Sequence, residues 1–421
     1  MNLKNYNERV VVTGMGVISC IGQTVNKFWN NLVEGNSGIS KLTQVNTDGY
    51  SCKIGGEITN FDPNDYMDKK EAKRMARFSQ FAVAASLEAI SSADLDFNKI
   101  DLDQIGVFLG TGSGGLPETE KEDLLMFQKN KNTISPLYVP KMLPNMASSN
   151  VSRLFNLQGY LNTVTTACAA GTQAIGEAYH VIKRGDAQIM LTGGSEAPFC
   201  QTSLGGFCNM HALTSQNNNP KKASKPFDKK RDGFVPSEGA GILVLESLSS
   251  AEKRGTEPLA EILGYSSTSD ANHLVQPHLD GRGAAKAMKK VLENANLEPN
   301  SIDYINSHGT STPINDKAET IAIKSVFKEY SSTLNINSTK SIIGHSSGAS
   351  GAMEAIACVK SIQGSIIHPT INLDDKDPEC DLDYTPNISK SLNIENALSN
   401  SFGFGGQNAC LIFSKFKKNL D

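Results

Sequence analysis

The sequence predicts an α/β protein of mixed layers, and three observations carry that prediction. Short apolar runs at 10–13, 105–109, 188–192, 241–245, 304–307 and 409–413 read as strands buried on both faces. Between them, small-residue-rich stretches at 72–93, 171–184, 284–295 and 318–327 read as helices, and such alternation implies mixed α/β layers. Finally, TTACAAGTQAIGEAYHVIKRGD is echoed by STKSIIGHSSGASGAMEAIACVKSIQGS: a polar strand end, a small-residue turn, then a helix. The echo predicts two copies of one βα unit meeting near residues 250–260, with small residues at the helix starts letting two helices pack closely at the centre.

Taken in order, the opening MNLKNYNERVVVTGMGVIS reads as a first strand and turn, because a secretory signal would carry a longer apolar run and a cleavage site. The 105–109 strand runs into GTGSGG (110–115), which matches the dinucleotide fingerprint GxGxxG. Pro117, Glu118 and Glu120 follow at once, and acidic residues near a helix N-terminus repel a pyrophosphate. A glycine-rich turn in a crowded core is the better reading. The segment 161–166 is a further strand leading into the turn around Cys168. The stretch 214–231 (TSQNNNPKKASKPFDKKR) is polar and basic and contains prolines, so a surface loop is expected. GHSSG (344–348) matches the GxSxG elbow of serine hydrolases, which requires Ser, then an acid, then His. After Ser346 the sole histidine is His368 and the sole acid between them is Glu354, in the helix directly following the turn, badly placed to orient His368.

Composition narrows the class. The chain has 421 residues, 40 basic and 44 acidic side chains and a net charge of −4. That length holds about two to three domain equivalents and a large core. With 39% hydrophobic residues, 36 Gly and 16 Pro, collagen-like, disordered and disulfide-scaffold classes are excluded. The near-neutral charge argues against a general nucleic-acid binder, which needs a basic excess. Eight cysteines, at 20, 52, 168, 200, 208, 358, 380 and 410, form no CxxC pair and no zinc-like spacing. They read as reduced thiols, most of them small buried hydrophobes. No stretch approaches about 18 apolar residues, so no membrane span is expected and the protein reads as soluble and cytoplasmic.

Three residues stand out for chemistry. Cys168 sits among Ala167, Ala169, Ala170 and Gly171, where a strand enters a tight turn before a helix. A helix N-terminus stabilises thiolate, and small neighbours leave room for a bulky acyl group; a small buried core cysteine fits the same context. His308 in NSHGTSTP and His345 in STKSIIGH both end strand-like segments beside glycine, the usual place for site residues in an α/β fold. A thiol with two histidines is a workable acyl-transfer set, and two neutral imidazoles can donate to an enolate oxygen. Lys340 and Glu354 flank His345, and the expectation is that a buried pair of opposite charge fixes its orientation. Lys69, Lys70, Lys73, Arg74 and Arg77 recur on one helical face, either simply solvated or steering an acidic partner.

Together these residues resemble the β-ketoacyl-acyl carrier protein synthases of the I/II type, condensing enzymes of the thiolase-like superfamily. The resemblance spans essentially the whole chain, through VVVTGMGVIS, TTACAAG, GGSEA, RDGFVPSEGAG, NSHGTSTPINDKAE, STKSIIGH, PTINLD and NSFGFGGQNA. The Cys-His-His set separates this type from the initiating synthases, which carry Cys-His-Asn. Cys410, past the FGFGG loop, does not fit the second catalytic cysteine of thiolases.

The resemblance implies a five-layered αβαβα fold of two pseudo-repeated halves, 1–255 with the nucleophile and 256–421 with both histidines. It implies that Cys168 is acylated from acyl carrier protein, that malonyl-acyl carrier protein loses CO2, and that His308 and His345 stabilise the enolate. The backbone N–H groups of Cys168 and Phe404 would form the oxyanion hole, with Phe404 also a gate. Thr310 and Thr312 would bind the phosphopantetheine arm, Phe207 would line its tunnel, and Lys340, Glu354 and Asp316 would support the site. No cofactor is required; Asn306, Glu354, Ser399 and Asn400 match a monovalent- or divalent-cation site of some relatives. A homodimer is implied, with 135–157 forming the dimer and acyl-pocket wall, and an acidic carrier protein docking near the tunnel mouth. Three departures bear on substrate range: Ser113 stands where relatives often carry a larger apolar residue, and Ala169-Ala170 and Gln407 replace commoner hydroxyl-bearing residues. A polyketide or specialised-lipid ketosynthase would carry the same set, whereas a non-catalytic chain-length-factor partner would lack the nucleophile.

Overall fold

In the computed structural model, residues 8–129 and 133–418 are described, so the first seven residues of the opening segment lie outside. Ten strands form one continuous sheet: β1 (Val10–Ser19), β2 (Ile105–Gly110), β3 (Leu161–Val164), β4 (Ile189–Glu196), β5 (Gly239–Ser247), β6 (Ala260–Ser269), β7 (Tyr304–Asn306), β8 (Asn335–Asn337), β9 (Asn396–Gly403) and β10 (Gln407–Ser414). Their order is β8-β7-β9-β10-β6-β1-β5-β4-β2-β3. Numbered within each half, both read 3-2-4-5-1 outward-in, with the first three strands parallel and the last two antiparallel. The halves join through the antiparallel β1–β6 pair.

The helices that matter for the site are α1 (Lys69–Arg74), α2 (Arg77–Ser92), α3 (Leu116–Lys129), α4 (Met146–Phe155), α5 (Ala170–Lys183), α6 (Gln201–Asn209), α7 (Arg282–Ala295), α8 (Pro313–Phe327) and α9 (Ser350–Gly364). Helices α5 and α9 lie between the two halves of the sheet, α2 and α4 cover the first half outside, and α7 and α8 cover the second. This is the αβαβα layering expected of the thiolase-like fold. Glycine sets the central approach: a Cβ on Gly171 of α5 would lie 2.7 Å from the Gly348 carbonyl oxygen and 3.0 Å from Ala352 N of α9. All ten residues of β1 are buried, which explains why its sequence shows no alternation of apolar and polar residues.

Two expectations need correction. The 72–93 stretch is not one helix: Met75 takes extended backbone and ends α1, and α2 starts at Arg77. Arg77 turns inward there, forking onto the buried Glu238 at 2.8 and 2.9 Å, so it leaves the basic face. The 214–231 loop carries no strand but is not wholly superficial. Phe227 is buried and stacks on Tyr384 at 3.7 Å, and Arg231 is buried against Asp377 and Asp316.

Candidate active site

The nucleophile sits on a strained turn. Strand β3 ends at Val164, Ala167 takes a left-handed φ of 49°, and a 3-10 turn over Ala167–Ala169 feeds α5. That φ is costly for a residue with a Cβ and is held by packing, which lifts Cys168 to the turn's apex. Gly403, ending β9, is obligatory beside it, since a Cβ there would lie 2.7 Å from Thr166 O and 3.2 Å from Cys168 N. The expected thiolate is not the resting form. Burial pushes the Cys168 thiol up to about 11, against the lowering pull of the Lys340 charge and the Phe404 backbone N–H.

The second half repeats the turn. Ser347 has a left-handed φ of 43°, a 3-10 turn spans Ser347–Ala349, and α9 follows. Gly348 stands where Cys168 stands in the first half. His345 precedes this turn, its backbone fixed by N–H donation to Val235 O at 2.7 Å and acceptance from Ser237 N at 3.0 Å. Its Nδ1 accepts from Ser347 N–H at 3.2 Å and faces the Ser350 hydroxyl at 3.0 Å. A backbone N–H can only donate, so Nδ1 carries no proton and Nε2 does.

His308 follows β7. Its N–H and that of Gly309 donate to Glu319 of α8 at 2.9 and 2.8 Å. Lys340 Nζ lies 3.4 Å from His308 Nδ1 and is ion-paired with the buried Glu354. The Lys340–Glu354 pair therefore orients His308, not His345 as expected; Ser347 and Ser350 orient the latter. An ammonium offers only protons, so His308 too presents Nε2–H. The rings lie 5.5 Å apart, edge to face at 88°. Burial, reinforced by the Lys340 charge, holds both well below the usual imidazole range, so both are neutral.

Cys168, His308, His345 and Phe404 line one cavity of about 440 Å³, joined by Ser113, Thr310, Thr312 and Phe207. The Thr310 and Thr312 hydroxyls meet at 2.9 Å, and the Phe207 ring lies 6.4 Å from Phe404. Phe404 is followed by Gly405 (φ 80°) and Gly406 (φ 73°), a left-handed pair only glycine adopts readily. Asp316 is buried behind the threonines, accepting from Phe227 N at 2.9 Å and facing Arg231 at 3.6 Å.

Of the four cation candidates, Asn306 Oδ1, Glu354 Oε2 and Ser399 Oγ are buried and without hydrogen-bond partners. Asn306 and Ser399 pair across parallel strands. Oxygen donors with one carboxylate fit a hard cation. The Asn400 side chain does not join them: it points to the opposite face, bonded to Glu319 at 3.2 Å and Cys410 at 3.1 Å. Among the described residues no group of three His, Cys, Asp or Glu is placed to hold a metal.

The decoy motifs resolve as structural turns. In GTGSGG, a Cβ on Gly110 would lie 2.3 Å from Ala170 C, and Gly112 and Ser113 donate to the buried Glu196. In GHSSG, Ser346 Oγ meets Ser350 Oγ at 3.1 Å, while His368 is bonded to Thr339 and Pro369, far from a serine relay. Glu319, Glu196 and Ser350 escaped the sequence reading. Only GGSEA, with an acid ending a buried strand, held a signal for one of them.

The profile described as "Beta-ketoacyl synthase, N-terminal domain" matches residues 7–251, and "Beta-ketoacyl synthase, C-terminal domain" matches 259–374. The chain is 46% identical over 411 residues to the 3-oxoacyl-[acyl-carrier-protein] synthase 2 of Staphylococcus aureus (strain COL), covering 98% of this chain and 99% of that one. It is equally 46% identical over 410 residues to the protein of that name from Synechocystis sp., covering 97% and 99%. Among solved structures it is similar to a chain of one described as a type II PKS acyl-carrier protein in complex with its ketosynthase bound to the hexaketide, with TM-score 0.90, 35% identity, and coverage of 97% of this chain and 100% of that one. With the duplicated sheet and a full-length match on both sides of the cavity, the chain belongs to the beta-ketoacyl synthase family.

Proposed function

We propose that this chain elongates fatty acyl groups by a decarboxylative Claisen condensation. Cys168 sulfur attacks the thioester carbonyl of an acyl-loaded carrier protein; the carrier thiol leaves with the proton, and the acyl group stays on sulfur. The Cys168 and Phe404 N–H groups receive the oxyanion. Malonyl-carrier protein then loses CO2, and the electron pair passes into an enolate whose oxygen accepts from His308 and His345 Nε2–H. The enolate carbon attacks the acyl-enzyme, the C–S bond breaks to leave the Cys168 thiolate, which takes up a proton from solvent, and a β-ketoacyl product two carbons longer departs. The observation that carries this reading is the fixed tautomer pair: two neutral imidazoles whose Nδ1 atoms are occupied face the same cavity as the thiol. Incubation with acyl- and malonyl-carrier protein should release CO2 and the elongated β-keto thioester. Hydrolysed acyl chain alone would contradict it.

Thr310 and Thr312 are read as holding the phosphopantetheine arm, with Phe207 lining its path, Phe404 gating it and Ser113 walling the acyl pocket. Asn306, Glu354 and Ser399 would hold a monovalent or divalent cation, which would supply positive charge beside Glu354. We read 1–255 and 256–421 as the two copies of one duplicated unit, supported by the repeated strand order. A homodimer across the free edge of β3 is supported by that strand's open side and by Leu161 on it, 48% exposed. Eight free cysteines fit a reducing, cytoplasmic setting. Among the described residues no helix is long and apolar enough to cross a membrane.

An acidic carrier protein is read as docking on α1. Lys69, Lys70 and Lys73 are exposed there with no carboxylate partner among the described residues, while Arg74 pairs with Glu71. The double variant Lys69→Glu/Lys73→Glu should raise KM for the carrier-bound substrate about tenfold at low salt and leave kcat nearly unchanged. An unchanged KM would move the docking face elsewhere.

A further inference from the structure

We infer that Glu196 is a positioning residue whose carboxylate ties the turn walling the acyl pocket to the turn orienting His345. Glu196 ends β4 and is fully buried. Five donors from two separate turns converge on it. From the turn after β2 come Gly112 N–H at 2.6 Å, Ser113 N–H at 3.0 Å, the Ser113 hydroxyl at 2.5 Å and the Thr111 hydroxyl at 3.3 Å. From the turn after His345 comes Gly348 N–H at 2.9 Å.

The pseudo-symmetry gives these contacts meaning. Strands β4 and β9 both have eight residues and pair with the following strand in the same sense, so Glu196 and Gly403 end equivalent strands. Gly403 faces the Cys168 turn and, having no side chain, leaves the Cys168 N–H open to a reacting oxygen. Glu196 faces the equivalent turn and fills the corresponding N–H, that of Gly348, with its own carboxylate. One half keeps an open oxyanion position, and the other carries a built-in anion. Gly348 adjoins Ser347, whose N–H fixes the His345 tautomer, so the carboxylate anchors the turn on which the enolate donor depends. No side chain could replace it by repacking, because a Cβ on Gly348 would lie 2.5 Å from Gly112 N and one on Gly194 would lie 2.3 Å from Gly348 O.

The inference rests on the condensing reaction proposed above, and separates its two half-reactions. Acylation of Cys168 uses the Cys168 and Phe404 N–H groups, which Glu196 does not touch. Decarboxylation uses His345. Lys340 and Glu196 are the charged groups acting on the Cys168 sulfur, and they pull its ionisation in opposite directions.

The test compares wild type with Glu196→Gln in three assays: CO2 release from malonyl-carrier protein, mass-detected acylation by butyryl-carrier protein, and iodoacetamide alkylation of Cys168 at pH 8. Decarboxylation should fall by about tenfold or more and acylation by less than about threefold. Alkylation should rise by about twofold or more, because the carboxylate that opposes ionisation of that thiol is gone. Equal losses in all three assays, or an unchanged decarboxylation rate, would overturn the inference. Glu196→Asp keeps the charge but not the reach, and should slow decarboxylation without raising alkylation; it serves if the glutamine variant does not fold. Failure of the wild type to decarboxylate or acylate would instead sink the condensing reading.

Discussion

A His345→Ala variant is expected to lose decarboxylation of malonyl-carrier protein by a factor on the order of 10²–10³ while still taking an acyl group onto Cys168. The loss follows from geometry. The enolate oxygen would keep one Nε2–H donor, that of His308, in a buried cavity where an unmet anion is expensive. His308→Ala should cost as much, and the double variant less than the product of both, because the two rings serve one oxygen. The wild-type decarboxylation rate should stay level from about pH 8 down to about pH 6.5, since burial and the Lys340 charge hold both rings neutral below the usual imidazole pKa. CO2 release and acyl uptake measured side by side decide the matter; equal loss of both in His345→Ala would remove the separate role.

Lys340→Met should be the most damaging single change to stability away from the nucleophile. Lys340 and Glu354 are both almost fully buried, and methionine keeps the volume while leaving the carboxylate without its partner. Breaking such a pair from one side costs about 3–5 kcal/mol, measurable by urea unfolding. The Glu354 carboxyl is already raised by burial, with Lys340 opposing. Without Lys340 its folded pKa rises further above the unfolded value, so the penalty is present at neutral pH and shrinks as pH falls and the group is protonated. The Lys340→Met/Glu354→Gln variant should recover part of the loss, since neither charge is then stranded. Full wild-type stability in the single variant would show that the pair does not hold the core.

Much of this architecture was legible because burial on both faces leaves short apolar runs without alternation, as at 10–13 in β1 and 241–245 in β5. Strands β6, β8 and β9 escaped that reading. In the sequences of β6 and β9, AEILGYSSTS and NALSNSFG, Ser266, Ser399, Asn400 and Ser401 are buried, so polarity there does not mean exposure, although Ser267 and Ser269 are exposed. The histidines were visible because each stands beside a glycine; His308 follows strand β7, but His345 follows a short helical turn, Lys340–Ile343, and not the strand-like segment expected there. What fixes them was not. The Lys340 pairing with His308 rather than its near neighbour His345 depends on β7 and β8 lying side by side in the sheet, which brings the residues just past each strand together and which spacing along the chain does not encode. Glu319 lies eleven residues beyond His308, on α8, and looked like one more helical carboxylate until folding set it under two backbone N–H groups. Cys168 shows the reverse limit. The turn and helix start were readable, but the balance of burial against the helix and Lys340, which leaves a thiol, needs the packed structure.

The central claim is that Cys168 carries the acyl group. Intact mass after mixing with C8 to C16 acyl-carrier protein tests it most directly, for wild type, Cys168→Ala and Ser346→Ala. The predicted result is a single acyl adduct on wild type and Ser346→Ala and none on Cys168→Ala. An adduct that survives Cys168→Ala, or no adduct on wild type at any chain length, would contradict the account.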